Sequence, residues 1–435
     1  MKIMTPFLLT LLLAGCAASS GSSDLASKQP VVPGPSILTP IHSANFGIDQ
    51  AELDAIKRAM QAAVDVGHIN GALLLVGNSK GVGVLESVGM QTEAGIRPVN
   101  KDSLFRIYSM TKPVVSVAAM SMVEDGLLSL DDPVSDYIPT FANLQVIDPE
   151  TGATRPARNV MTVRHLITHQ SGIVQQPFAM NTPLGPMYRD NFPDVLTGPD
   201  PDAAGEAFMA EFNSITAREL ATRIGRLPVL FEPGTAWHYG HSTDVLGAVL
   251  EVAADKPLDA ILQERIFSPL DMNDTSFWVP PQKAFRIAEP IYGPMTDNTK
   301  PRAMLAAGHG LNASTADYAR FALMLLNGGS LFGEQVLDAG TLQQMLLPSL
   351  EDEVSRQYFF YGDAGDWGLG FHLQPIADNS PPYNFGWRGI GGTIFIVDPT
   401  NDFYLLYMVQ KWGGPADTPF NSDVAVRMIY EAMQN

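Results

Sequence analysis

Apolar residues recur at helical spacing near the start of the folded part of the chain, where Leu53, Ile56, Met60, Ala63 and Val64 follow Asp49-Gln50-Ala51-Glu52. Such a stripe buries one side of a helix, and Asp49 is placed to cap its free N–H groups. The period then changes. Gly71-Ala72-Leu73-Leu74-Leu75-Val76-Gly77 and Val82-Gly83-Val84-Leu85-Glu86-Ser87-Val88 are short apolar runs on either side of Asn78-Ser79-Lys80, which predicts a β-hairpin. Residues 109–125 read as a helix in which Pro113 is tolerable because it falls near the first turn. Shorter helices are predicted over 162–169, 216–224, 242–254 and 258–266, three of them opened by a Ser or Thr suited to capping. Strand character returns over 367–373, 393–397 and 403–409, and a helix over 421–433 closes the chain. The expectation is an α+β protein whose antiparallel sheet is assembled from both ends, residues 46–105 and 296–435, with a mainly helical part at 106–295 inserted between them. The stretch from 46 to 435 exceeds what one compact core usually supports, so two subdomains sharing an active-site seam are expected.

The N-terminus has a different character. Lys2 precedes Phe7-Leu8-Leu9-Thr10-Leu11-Leu12-Leu13 and then Ala14-Gly15-Cys16, an apolar run too short for a membrane span and shaped like an export signal. Leu13-Ala14-Gly15-Cys16 also resembles a bacterial lipobox, which implies cleavage after residue 15, acylation of Cys16, and a lipid-anchored protein in the bacterial cell envelope. Ala17 and Ala18 follow the cysteine without an aspartate, which favours the outer membrane, on its periplasmic face. Residues 17–45 are rich in Ser, Gly and Pro and read as a flexible tether.

Composition narrows the classes further. With 46% hydrophobic and 17% charged residues the chain is not disordered, and a net charge of −19 excludes electrostatic binding to nucleic acid or to an anionic bilayer. Membrane association therefore rests on lipid at Cys16. Because Cys16 is the only cysteine, stability comes from a buried core without disulfides.

The chemistry begins at Phe105-Arg106-Ile107-Tyr108-Ser109-Met110-Thr111-Lys112-Pro113, where Ser109 and Lys112 are three apart at a predicted helix start. Residues at that spacing share a helical face, so the lysine amine reaches the serine hydroxyl and can serve as its base. Two more segments accompany it: Phe231-Glu232-Pro233-Gly234-Thr235-Ala236-Trp237-His238-Tyr239-Gly240-His241-Ser242, and Phe385-Gly386-Trp387-Arg388-Gly389-Ile390-Gly391-Gly392. In this order they resemble the serine beta-lactamase and penicillin-binding-protein superfamily, and more closely its class C-like branch, the family VIII carboxylesterases. The segments at 162–172 and 314–329 extend the likeness over residues 46–435.

That resemblance implies a beta-lactamase/transpeptidase-like fold without metal or organic cofactor. It further implies Ser109 as nucleophile, Lys112 and Tyr239 in proton transfer, and an oxyanion hole made by the backbone N–H groups of Ser109 and Ile390. Trp387 and Gly389 form a W-x-G in place of the usual K-T-G, and His241 stands where Y-x-N has asparagine; these three are the expected substrate contacts. An indole cannot hold the carboxylate that a K-T-G lysine holds, and on a strand Arg388 points away from the Trp387 face. A small neutral ester is therefore the expected substrate. A class C-like beta-lactamase, a D-Ala-D-Ala carboxypeptidase or D-amino-acid peptidase, and an inert envelope binding protein are the alternatives. Whether Lys112 or Tyr239 is the base is open, as is whether His241 moves protons or only bonds locally. His165 and His169 have zinc-like spacing but lack a third ligand, and Gly240-His241-Ser242-Thr243-Asp244 misses the last glycine of an α/β-hydrolase elbow.

Overall fold

The computed structural model describes residues 37–175, 182–192, 214–293, 295, 297–377, 380–414 and 418–434. Cys16, the leader and the tether as far as residue 36 lie outside them. The first helix, α1 (Gln50–Asp65), is capped reciprocally: the Asp49 carboxylate accepts from Glu52 N at 2.9 Å, and the Glu52 carboxylate accepts from Asp49 N at 2.9 Å. β1 (Gly71–Asn78) and β2 (Gly81–Gly89) follow as an antiparallel hairpin. Here the tether reading needs correction. Residues 37–45 are docked rather than free, since Ile41 N bonds Val82 O, Val82 N bonds Thr39 O, and Ile37 is buried. They cover the edge of β2, a row of backbone groups that would otherwise stand unpaired.

Next come α2 (Thr111–Glu124), α3 (Val163–Ile167), α4 (Ala217–Ile224), α5 (Ser242–Ala254) and α6 (Thr315–Leu326). The stretch read as helical also holds a small strand pair, Gln145–Ile147 with Thr154–Pro156, turned by Asp148, whose carboxylate accepts from the N–H groups of Glu150 and Thr151. The C-terminal part supplies β3 (Asp366–Trp367), β4 (His372–Ala377), β5 (Ser380–Arg388), β6 (Ile394–Asp398), β7 (Phe403–Val409) and α7 (Ser422–Gln434). The single strand expected over 367–373 is thus two. Gly370, at φ 92°, reverses the chain there, and a Cβ on it would lie 2.1 Å from the Ser116 hydroxyl of α2.

All seven strands form one antiparallel sheet in the order β2-β1-β7-β6-β5-β4-β3, so the two chain ends meet at β1 and β7, with Leu74 opposite Tyr407. Both faces are covered, which is why β1, β6 and β7 read as continuous apolar runs rather than alternating ones. Leu74, Val76, Ile396 and Leu405 pack with the apolar stripe of α1 and with Ile429 of α7. Leu73, Leu75, Phe395 and Leu406 face the other way, into a core continuous with α2, α5 and α6. Residues 36–435 accordingly make one compact unit.

Candidate active site

A short ladder positions the serine. Leu104–Arg106 pairs antiparallel with Asn312–Ser314, Ile107 N bonds Leu311 O at 3.0 Å, and the chain then turns through the 3-10 helix Tyr108–Met110 into α2. Tyr108 sits at φ 43°, a left-handed conformation that strains a bulky residue by about 1–2 kcal/mol. Surrounding contacts hold it there: its ring stacks on Trp412 at 5.9 Å, and a Cβ on Gly391 would come within 3.0 Å of it. The twist leaves Ser109 half-buried between the buried Tyr108 and Met110.

Three distant stretches meet at this hydroxyl. The Lys112 ammonium, 3% exposed, donates to Gly308 O at 2.8 Å and lies 3.4 Å from Ser109 Oγ. The Tyr239 hydroxyl donates to Ser109 Oγ at 2.8 Å, and Lys112 Nζ stands 4.5 Å from the centre of the Tyr239 ring. Trp387 Nε1 points at the Tyr239 oxygen from 3.4 Å. A serine hydroxyl touching a phenol backed by an ammonium has a proton acceptor and a counter-charge within reach.

Aromatic packing fixes Tyr239. Its ring centre lies 4.9 Å from His169, 5.3 Å from Phe360 and 5.7 Å from Trp387. The bed beneath it is the 162–172 segment: His238 N bonds His169 O and Gly234 N bonds Gln170 O. His165 and His169 are thereby placed apart in role. His165 Nδ1 accepts from Thr162 N and caps α3, whereas His169 is enclosed by Trp237, Tyr239 and Trp367. Trp387 packs edge-to-face on Trp367 at 4.7 Å and is 5% exposed. Trp387→Ala is expected to cost about 3–5 kcal/mol in chemical denaturation, as truncation of a large buried aromatic does, with Trp387→Phe recovering most of it.

Past Trp387 the strand alternates as expected, with Arg388 paired to Asp423 of α7 at 3.0 Å. Gly389 lies directly against the turn that carries Ser109; a Cβ there would stand 2.4 Å from Ile107 O. The following turn closes through Gly389 N to Thr393 O and Gly392 N to Gly389 O, and neither bond uses the Ile390 N–H. The Ile390 side chain is 70% exposed. The Ser109 N–H opens its 3-10 turn, where no intrahelical acceptor exists.

His241 is 3% exposed and pairs through Nδ1 with Asp244 Oδ2 at 2.8 Å. The sequence motifs show Asp244 only as a missing glycine and do not point to Gly308, His309 or the Trp237–Trp367 cage. The i, i+3 spacing of His241 and Asp244 at a helix start was the available signal for the first; Gly308-His309-Gly310 was the signal for the second.

Buried histidines set the acid response of the fold. Burial pushes His309 down to about 4, with the charges of Asp244 and Lys112 acting in opposite senses, and pushes His372 down to about 3, with Arg388 adding to the effect. Both rings are neutral in the folded protein and gain protons only on unfolding. Their contribution is complete above an unfolded value of about 6.5 and is lost as pH falls towards the folded values, costing about 2 kcal/mol each at pH 5. Asp317, pushed up to about 6 by burial, works in reverse and offsets about 1 kcal/mol. His169, held well below its ordinary value chiefly by burial, acts in the same sense, so urea unfolding at pH 7.5 and pH 5 should differ by at least about 3 kcal/mol, and His372→Gln should reduce that gap by about 2 kcal/mol.

The family model described as Beta-lactamase matches residues 56–426. Protein Rv1367c of Mycobacterium tuberculosis is 32% identical over 386 residues, covering 82% of this chain and 90% of its own. Esterase EstB of Burkholderia gladioli is 26% identical over 375 residues, covering 81% and 89% respectively. Among solved structures, a family VIII carboxylesterase superposes with a TM-score of 0.62 at 22% identity, covering 88% of this chain and 98% of that one, and shares the fold.

Proposed function

This chain belongs to the beta-lactamase family, and from that premise we propose that it is a serine hydrolase cleaving small carboxylic esters through an acyl-enzyme on Ser109. The observation that carries the reading is the convergence on one oxygen: Tyr239 at 2.8 Å and Lys112 at 3.4 Å from Ser109 Oγ, with an indole N–H rather than an ammonium closing the far side of Tyr239. In the reacting state the Tyr239–Lys112 pair holds one proton fewer than a phenol beside an ammonium, and Ser109 Oγ attacks the ester carbonyl carbon as its proton passes to that vacancy. The Ser109 and Ile390 N–H groups receive the developing oxyanion, a contribution of several kcal/mol when such donors are preorganised. Collapse breaks the carbon–oxygen bond to the alcohol, which leaves with the stored proton. Water then attacks the acyl carbon, giving up a proton to the same pair, and the acid departs as Ser109 is reprotonated.

The aromatic wall of Trp387, Phe360 and Tyr361 suits a neutral, apolar acyl or alcohol group, and no side-chain cation occupies the place of the K-T-G lysine. That an esterase is among the relatives supports the same choice. The test is parallel incubation with a short-chain aryl ester, a chromogenic cephalosporin and a D-Ala-D-Ala peptide, followed by intact-mass spectrometry. Ester turnover with a transient acyl adduct on Ser109 is the expected result; cleavage of the peptide alone would transfer the protein to the carboxypeptidase class.

We also propose that Cys16 is acylated and tethers the enzyme to the bacterial envelope, at the periplasmic face of the outer membrane. Labelled palmitate should enter the native protein and not Cys16→Ser, and the variant should move from the membrane fraction to the soluble one.

A further inference from the structure

Lys112 does not reach its position unaided. Its ammonium donates to Gly308 O at 2.8 Å, and the N–H of the same residue donates to Asp244 Oδ1 at 2.7 Å. The other carboxylate oxygen of Asp244, which is 2% exposed, pairs with His241 Nδ1 at 2.8 Å. The approach depends on residue 308 being glycine, because a Cβ there would come within 2.9 Å of both carboxylate oxygens. Asp244 lies in the first turn of α5, yet both of its oxygens are turned to partners outside the first turn's backbone, so it does not act as a helix cap.

From this relay, and resting on the reading of Ser109 as nucleophile, we infer that Asp244 is the positioning residue of the site: it anchors the Gly308 backbone through its N–H, and the carbonyl of the same residue aims the Lys112 amine at the serine. The Gly308 N–H and C=O flank one Cα, so a bond that fixes the first restricts where the second can point. Burial alone would raise the Asp244 carboxyl, but the His241 hydrogen bond and the nearby Lys112 charge help to outweigh it and hold the group well below the usual carboxylate range. His241 serves as the second anchor of that carboxylate, which accounts for a histidine in the asparagine position without assigning it a proton-transfer step.

A double-mutant cycle tests this, run on whichever of the three substrates above the native enzyme turns over, so that failure of the ester reading leaves it intact. Asp244→Asn, nearly isosteric, is expected to lower kcat by about 10- to 100-fold with KM within about threefold, because the substrate itself is untouched. In a Lys112→Ala background the same change should cost less than about threefold, since nothing remains for Asp244 to aim. Equal losses in both backgrounds would overturn the proposal, as would a native kcat in Asp244→Asn. Far-ultraviolet circular dichroism and melting of each variant exclude misfolding as the cause. Should Asp244→Asn fail to fold, Gly308→Ala breaks the same relay from the other side, and it must show the same dependence on Lys112.

Discussion

Ser109→Ala is expected to abolish turnover: kcat should fall by about 10⁴-fold or more, and no acyl adduct should form on the intact protein in the presence of substrate. The magnitude follows from what is lost, since removing the nucleophile of a concerted set leaves only oxyanion stabilisation and binding. The hydroxyl accepts a hydrogen bond from Tyr239 and is half-buried, so stability should change by no more than about 1 kcal/mol. A variant that keeps its fold and more than about one hundredth of native activity would remove Ser109 from the reaction, whatever else lies nearby.

Lys112→Met separates chemistry from stability. Activity should drop by about 10³-fold, within the range typical of lost proton-transfer groups, while the melting temperature holds or rises. The second half of that expectation comes from comparing two costs. An ammonium as enclosed as Lys112 carries a desolvation penalty of several kcal/mol, whereas leaving the Gly308 carbonyl without its donor costs about 1–3 kcal/mol. Methionine fills the same volume without charge. If unfolding in urea showed a loss above about 3 kcal/mol, Lys112 would be a structural residue first and the trade between function and stability would be absent here.

Features written in local chemistry were legible before any coordinates. Ser109 and Lys112 share one turn, the Asp49–Glu52 capping box spans three residues, and the hairpin of β1 and β2 is joined by a short polar turn; each is decided by neighbours along the chain. Tyr239 and Trp387 were reachable only through likeness to a known family, because nothing in their own segments shows that they meet. What stayed hidden depends on pairings over long separations. The Asp244–Gly308 bond joins residues 64 apart and the Ile107–Leu311 bond closes a loop longer still, so no periodicity announces either. The merging of β3 and β4 into one expected strand has a different cause. Trp367 to Leu373 is apolar enough for a strand, but the chain doubles back at Gly370, which has φ 92° and lies so close to α2 that a side chain would not fit.

The union of β1 with β7 has a consequence in time. The strand that flanks β1 is made long after it, and loop closure over so great a span must precede its pairing. Until then the W-x-G turn has no backing, and Ser109, although made early, stands without the indole beside Tyr239. If Ser109 is the nucleophile proposed above, a chain in which β7 has not yet joined β1 is unable to acylate itself on whatever ester it meets.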